Sequence, residues 1–176
     1  MVLLLVPALT LAVLYRRELY DHFHHPLHFR ALVEENIEGT LVSLPLMMAL
    51  IRTESSFNPD AVSYAGARGL TQIMPDTFDW LQTRTGGNLP QEALFDPDVS
   101  IRYGVLFLHM LLEEFGETET AVAAYHAGRT RVNNWLRDPE LSPDGRTIPH
   151  IPTPNTRHYV YKVMRAYARY QRIIGN

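Results

Sequence analysis

Ala49-Leu-Ile-Arg-Thr-Glu54-Ser55-Ser-Phe-Asn-Pro59 is followed closely by Ser63-Tyr-Ala-Gly66-Ala-Arg-Gly69-Leu-Thr-Gln72-Ile-Met74-Pro75. The first stretch ends an apolar helix on a single carboxylate, Glu54. The second is a glycine-punctuated loop that carries a serine and a glutamine and folds back beside that helix. Together they give the layout of one general acid held in a partly dry cleft, which points to an enzyme.

Outward from that point the chain reads as helices. A first helix is expected from about Pro26 to Glu38, stopped near Gly39. A second starts at Ser43 or Leu44, with Pro45 tolerated in its first turn, and ends around Ser55. Asp76 to Thr85 forms a third, opened by Pro75 and closed by Gly86-Gly87. Asp96-Pro97 opens a longer helix through Glu114, in which Ile101, Val105, Leu108 and Leu112 make one apolar stripe. Thr120 to Ala127 follows, stopped by Gly128. Arg129 to Arg137 comes next, with Val132, Trp135 and Leu136 pointing inward. Prolines 139, 143, 149, 152 and 154 and Gly145 keep the next segment a loop. Asn155 or Thr156 then caps a last helix to about Ile173, with Val160, Val163, Tyr167 and Tyr170 on its inner face. No sustained alternating pattern calls for a strand. The expected fold is all-α: a compact helical domain over residues 26–176, preceded by a hydrophobic segment and connector over residues 1–25.

Bulk properties exclude several classes. The 176 residues suffice for one domain with a real core. Without cysteine there is no disulfide, thiolate metal site or cysteine nucleophile. The net charge of −3 hides an asymmetry: residues 1–120 carry 7 basic and 16 acidic side chains, residues 121–176 carry 9 and 3. The basic C-terminal third reads as a solvated helix face or as a surface for an anionic polymer. No nucleic-acid motif accompanies it, so nucleic acid is not an expected partner. Val2 to Leu14 is uncharged and rich in Leu, Val and Ala, but shorter than the ~20 residues that span a bilayer comfortably. It is read as an export signal or membrane anchor rather than a buried helix. The histidines His22, His24, His25 and His28 are interrupted by Pro26, and no metal site is expected from them.

The residue types around Glu54 suit acid catalysis. A carboxylate at a helix C-terminus meets the negative end of the dipole. Leu50 and Ile51 desolvate it. Both effects raise its pKa toward neutrality. The alternative is a surface glutamate paired with Arg52 or Arg68. The loop favours the functional reading: Gly66 and Gly69 allow close backbone approach, Ser63 offers a hydroxyl, and Gln72 offers an amide suited to a sugar, a residue that a turn alone does not require. Ala123-Ala124-Tyr125-His126-Ala127-Gly128 adds a second helix end with a phenol, which could equally be a core residue with a satisfied hydroxyl.

These motifs resemble a known family. Glu54-Ser55, Gly69-Leu-Thr-Gln-Ile-Met-Pro75 and Ala124-Tyr-His-Ala-Gly128 are similar to the three motifs of soluble-lytic-transglycosylase-type domains, which have a goose-type lysozyme-like fold. Ile151-Pro-Thr-Pro-Asn-Thr-Arg157-His-Tyr159-Val160 through Val163 is similar to the closing motif. The match runs in order from about Leu44 to Ile173. The resemblance implies cleavage of the β-1,4 bond between N-acetylmuramic acid and N-acetylglucosamine in peptidoglycan. Glu54 would be the sole catalytic acid/base, and Ser63, Gln72, Met74, Tyr125 and His126 would hold the sugars or the acid. The substrate's N-acetyl group would replace a protein nucleophile, a substrate-assisted exception to the two-carboxylate rule. Neither cofactor nor metal is implied. A monomer acting on glycan strands outside the cytoplasm is expected, with the membrane as a partner of the N-terminal segment.

Two positions depart from the family pattern. Thr71 stands where methionine is usual, and His126 where asparagine is usual. His126 near Tyr125 is expected to make activity fall below about pH 6.5. Two rival readings follow from the same residues: a lysozyme-type muramidase using Asp60, Asp76 or Asp79 as a second carboxylate, and a catalytically silent glycan-binding module.

Overall fold

A computed structural model describes residues 25–175. The expectations for Val2–Leu14, His22 and His24 fall outside these residues. The elements in order are α1 (Arg30–Ile37), α2 (Leu44–Ser55), α3 (Pro75–Thr85), a 3₁₀ turn (Gln91–Phe95), α4 (Pro97–Phe115), α5 (Thr118–Ala127), α6 (Arg129–Arg137) and α7 (Pro154–Ile174). Among the described residues the only β-type pairing is two isolated antiparallel bridges, Val62 with Arg68 and Arg68 with Ile73. No described helix is long and apolar enough to cross a membrane.

The all-α expectation holds, and α2 is its axis. Ser43 accepts the Leu46 amide at 3.4 Å to cap it, and Pro45 sits in the first turn. Leu44 and every residue from Leu46 to Ile51 are buried, so the helix is apolar on all sides until its last turn. Its most extensive partner is α7, whose Tyr159, Val160, Val163, Ala166 and Tyr170 are buried. α4 is buried over more than the single stripe its spacing suggested. Ile101, Val105, Leu108 and Leu112 are joined in the core by Tyr103, Phe107, Leu111 and Phe115, because α1, α3 and α5 all pack on it. The Asp96 carboxylate caps α4 by accepting the Asp98 and Val99 amides at 2.9 and 3.2 Å.

Three details differ from expectation. The first helix begins at Arg30 rather than Pro26, because Phe29 lies in the left-handed region at φ 61° and interrupts the helix there. The preceding segment is pinned to α7 instead: Tyr170 donates to the Pro26 carbonyl at 3.0 Å, and the His25 ring meets the Tyr170 ring edge-on at 5.5 Å. The last helix is entered at Thr153 and Pro154, not capped by Asn155 or Thr156, and Thr153 makes no side-chain cap bond. Thr156 is buried inside the first turn, where its hydroxyl serves another residue. The 3₁₀ turn at Gln91–Phe95 carries no periodic signal and was not expected.

Candidate active site

Glu54 lies one residue from the end of α2. Beyond it the chain turns through two consecutive non-glycine residues with positive φ, Ser56 at 52° and Phe57 at 64°. Such backbone is held only where surrounding structure imposes it. Ser55 ties this end to the loop: its hydroxyl donates to the Leu70 carbonyl at 2.8 Å while remaining 3.2 Å from the Ile51 carbonyl. The carboxyl group of Glu54 is therefore aimed by both helix and loop.

The loop from Ala61 to Met74 is braced from within. Ser63 donates its backbone amide to the Ala67 carbonyl at 2.9 Å, and its hydroxyl accepts the Ala67 amide at 3.0 Å. Gln72, at φ 50°, donates its amide nitrogen to the Ala61 and Gly69 carbonyls, both at 3.0 Å. This corrects the expectation that the turn has no need of a glutamine. The same side chain proposed for sugar contact also closes the loop. Gly69 sits at φ +74° with its Cα against the 3₁₀ turn; a Cβ there would lie 1.9 Å from the Leu94 carbonyl oxygen. Met74 ends the loop as the residue before α3 and is 39 % exposed.

Thr71 is buried in the core. Its hydroxyl donates to the Ser100 carbonyl at 2.8 Å, and its amide donates to the Ser100 hydroxyl at 3.2 Å. Gly104 makes room for it, since a Cβ there would stand 2.6 Å from Thr71 Cγ2. The departure at this position is thus a matter of packing against α4. Tyr125 of α5 donates its hydroxyl to the Thr71 carbonyl at 2.9 Å and packs its ring on Phe107. It braces the loop, and burial first, then the nearby Glu54 charge, push its own pKa well up.

The direct partner of Glu54 comes from α7. The Tyr159 hydroxyl donates to Glu54 Oε1 at 2.5 Å. Burial pushes the Glu54 pKa up to about 7, against the opposing effects of this hydrogen bond and of the Lys162 ammonium. Burial and the neighbouring carboxylate push Tyr159 up too, so it stays a neutral donor. Arg68, a possible ion-pair partner of Glu54 by sequence, instead binds Glu92 at 3.2 Å.

His126 is adjacent, and its ring contact is with Tyr159. The two rings stack at 4.5 Å and 30°, and His126 Nδ1 lies 3.1 Å from the Thr156 hydroxyl. Partial burial first, then Lys162 and Arg131, lower its pKa below the usual histidine value, so the ring is neutral at pH 7. Glu54, Tyr159, His126 and Thr156 form a connected row. Tyr159 was quoted from sequence only as part of a motif, and Lys162 not at all. The signal that could have found them is their i, i+3 placement on the first turns of α7, on the face presented to α2.

This arrangement can hold a proton on one carboxyl near neutral pH and orient that carboxyl through one phenol. A family model described as the transglycosylase SLT domain matches residues 31–144. A soluble lytic murein transglycosylase of Escherichia coli (strain K12) is 32 % identical over 166 residues, which cover 90 % of this chain and 26 % of that protein. A membrane-bound lytic murein transglycosylase C of Glaesserella parasuis is 29 % identical, over 75 % of this chain and 43 % of its own length. The crystal structure of the soluble lytic transglycosylase Slt70 of Escherichia coli superposes with a TM-score of 0.78 at 30 % identity, covering 90 % of this chain and 27 % of that one. The chain thus spans about a quarter of the length of the soluble relatives. The lysozyme-like all-α fold is shared with them.

Proposed function

The chain belongs to the transglycosylase SLT domain family, and on that premise we propose that it cleaves the β-1,4 bond between N-acetylmuramic acid and N-acetylglucosamine in peptidoglycan. One observation carries the reading: a half-buried Glu54 whose pKa is pushed up to about 7 and whose carboxyl is bound by Tyr159. Neutral Glu54 protonates the glycosidic oxygen, and the bond to C1 breaks. The muramoyl N-acetyl carbonyl stabilises the cation that develops there. Glu54, now a carboxylate, takes the proton of the muramoyl C6 hydroxyl, and that oxygen closes on C1. The product is a 1,6-anhydro sugar, no water is consumed, and Glu54 ends protonated as it began. Ser63, Gln72, Met74, Tyr125 and His126 are assigned to the sugar-facing surroundings, with Gln72 and Tyr125 also holding the loop.

The chemistry requires neither metal nor cofactor. A muramidase would need a second carboxylate to activate water. Of the candidates, Asp79 accepts a hydrogen bond from Gln91 at 2.8 Å, and Asp60 and Asp76 are exposed. Neither the muramidase nor the silent module is favoured. We place the activity at the cell envelope, as a monomer on glycan strands, with Val2–Leu14 as anchor or export segment. The membrane-bound relative supports that placement. Mass spectrometry of digested peptidoglycan tests the proposal. Products lighter than the hydrolysed ones by one water are expected, and Glu54→Gln should abolish them. Fully hydrated products, or digestion undiminished in Glu54→Gln, contradict it.

A further inference from the structure

Close to Glu54 lies a concavity of about 610 Å³, within the roughly 300–1,000 Å³ of small-ligand pockets. Its walls include Arg52 and Thr53 of α2 and Lys162, Arg165, Arg169 and Arg172 of α7. It is where much of the basic excess of the C-terminal third is concentrated. A packed core does not need this: like charges along one helix face repel, and spacing of three or four residues places them side by side. The arrangement suits an anionic ligand.

We propose that this trough binds the carboxylate-bearing peptides that branch from the glycan strand, so that the enzyme prefers peptide-substituted strands to bare ones. The inference rests on reading the chain as acting on peptidoglycan. Three observations select this occupant. The trough adjoins the site, since Thr53 precedes Glu54 and Lys162 lies one turn beyond Tyr159. A group bound there can therefore belong to the same strand as the sugar at Glu54. The Thr53 and Ser56 hydroxyls, which donate to the Ala49 and Arg52 carbonyls, keep lone pairs that can accept from amide groups, and Tyr161 adds a third hydroxyl. Among the described residues Ala166 is the one aliphatic member of the lining, which offers little to an acyl chain. Arginine and lysine bind carboxylates through short charge-assisted hydrogen bonds. Lys162 also acts electrostatically on Glu54, so an anion in the trough offsets a charge that otherwise opposes the neutral acid.

The test uses the full chain and its Arg165→Gln/Arg172→Gln variant, with Arg165→Lys/Arg172→Lys as the charge-retaining control and matched melting temperatures as the check on folding. Substrates are peptide-bearing strands and strands stripped of peptide by an amidase. Loss of the two arginines should raise KM on peptide-bearing strands about tenfold, leave kcat/KM on bare strands unchanged, and be largely rescued by lysine. The preference should fade with added salt, which screens exposed charges over about 10 Å at 0.1 M. Calorimetry with the free stem peptide gives a readout independent of turnover: wild type binds and the glutamine variant does not. Equal losses on both substrates, or no binding of the peptide by wild type, overturn the inference. So does loss of binding to phosphatidylglycerol vesicles with the peptide preference intact. Peptide binding without any anhydro product overturns the proposed reaction alone.

Discussion

Two structures flank Glu54, and they are held in opposite ways. The loop from Ala61 to Met74 is braced from within by contacts close in sequence, Gln72 to Gly69 and Ala61 and Ser63 to Ala67, and seated on its neighbours at Gly69 and Thr71. The α7 side is brought in from far away: Tyr159 meets Glu54 across 105 positions, and Tyr170 meets Pro26 across 144. The loop's shape is fixed by local backbone chemistry together with the close seat of Gly69 on Leu94 and the Thr71–Ser100 bonds. The α7 side is fixed by the burial of one helix against another. Damage to the loop should therefore cost the fold first and the chemistry as a consequence. Damage to the first turn of α7 should cost the chemistry and spare the fold.

The largest effect belongs to the loop. Gly69→Ala places a Cβ against the Leu94 carbonyl at a positive φ, and should cost about 3 kcal/mol or more in chemical denaturation. Near-wild-type stability would mean the loop is not locked as described. On the other side, Tyr159→Phe should leave the unfolding midpoint nearly unchanged while lowering kcat about 10- to 100-fold, the worth of one hydrogen bond to a charged group. Because that bond lowers the Glu54 pKa, its removal should also move the alkaline limb of activity to higher pH. A kcat loss with no shift in that limb would assign Tyr159 to substrate contact alone. Ser55→Ala, which unties α2 from Leu70, is expected to cost about 1 kcal/mol with a modest rate loss. The smallest effect is at His126. Its pKa lies below the usual histidine value, so on the acid side of the Glu54 limb wild-type activity should decline only as His126 protonates, below about 6.5. His126→Asn should remove that acid limb without changing the rate at neutral pH. Identical pH–rate curves for the two proteins would detach His126 from the site.

The same contrast explains what could be read from the residues in order. The ends of α2, α3 and α6 were legible because proline, glycine and apolar spacing are local signals. Glu54 was legible because it closes an apolar run before a glycine loop. The Tyr159–Glu54 bond was not, since nothing local in α7 says which residue of α2 it will meet. Thr156 looked like a helix cap because its type favours caps; the proline at 154 started the helix earlier and freed its hydroxyl for His126. Gln72 was read for its amide toward a sugar, and the positive φ that sets the amide on its own loop had no trace in composition. Thr71 looked like a departure in the site, and only the space left by Gly104 turns it toward the core.

The account stands on a carboxyl that keeps its proton at the pH where it works. Titration of Glu54 in the folded protein, read as the difference between wild-type and Glu54→Gln carboxyl signals in infrared or carbon NMR spectra, measures this directly. The account predicts a midpoint of about 7. A midpoint in the ordinary glutamate range, near 4.5, would leave the group ionised at neutrality and contradict it.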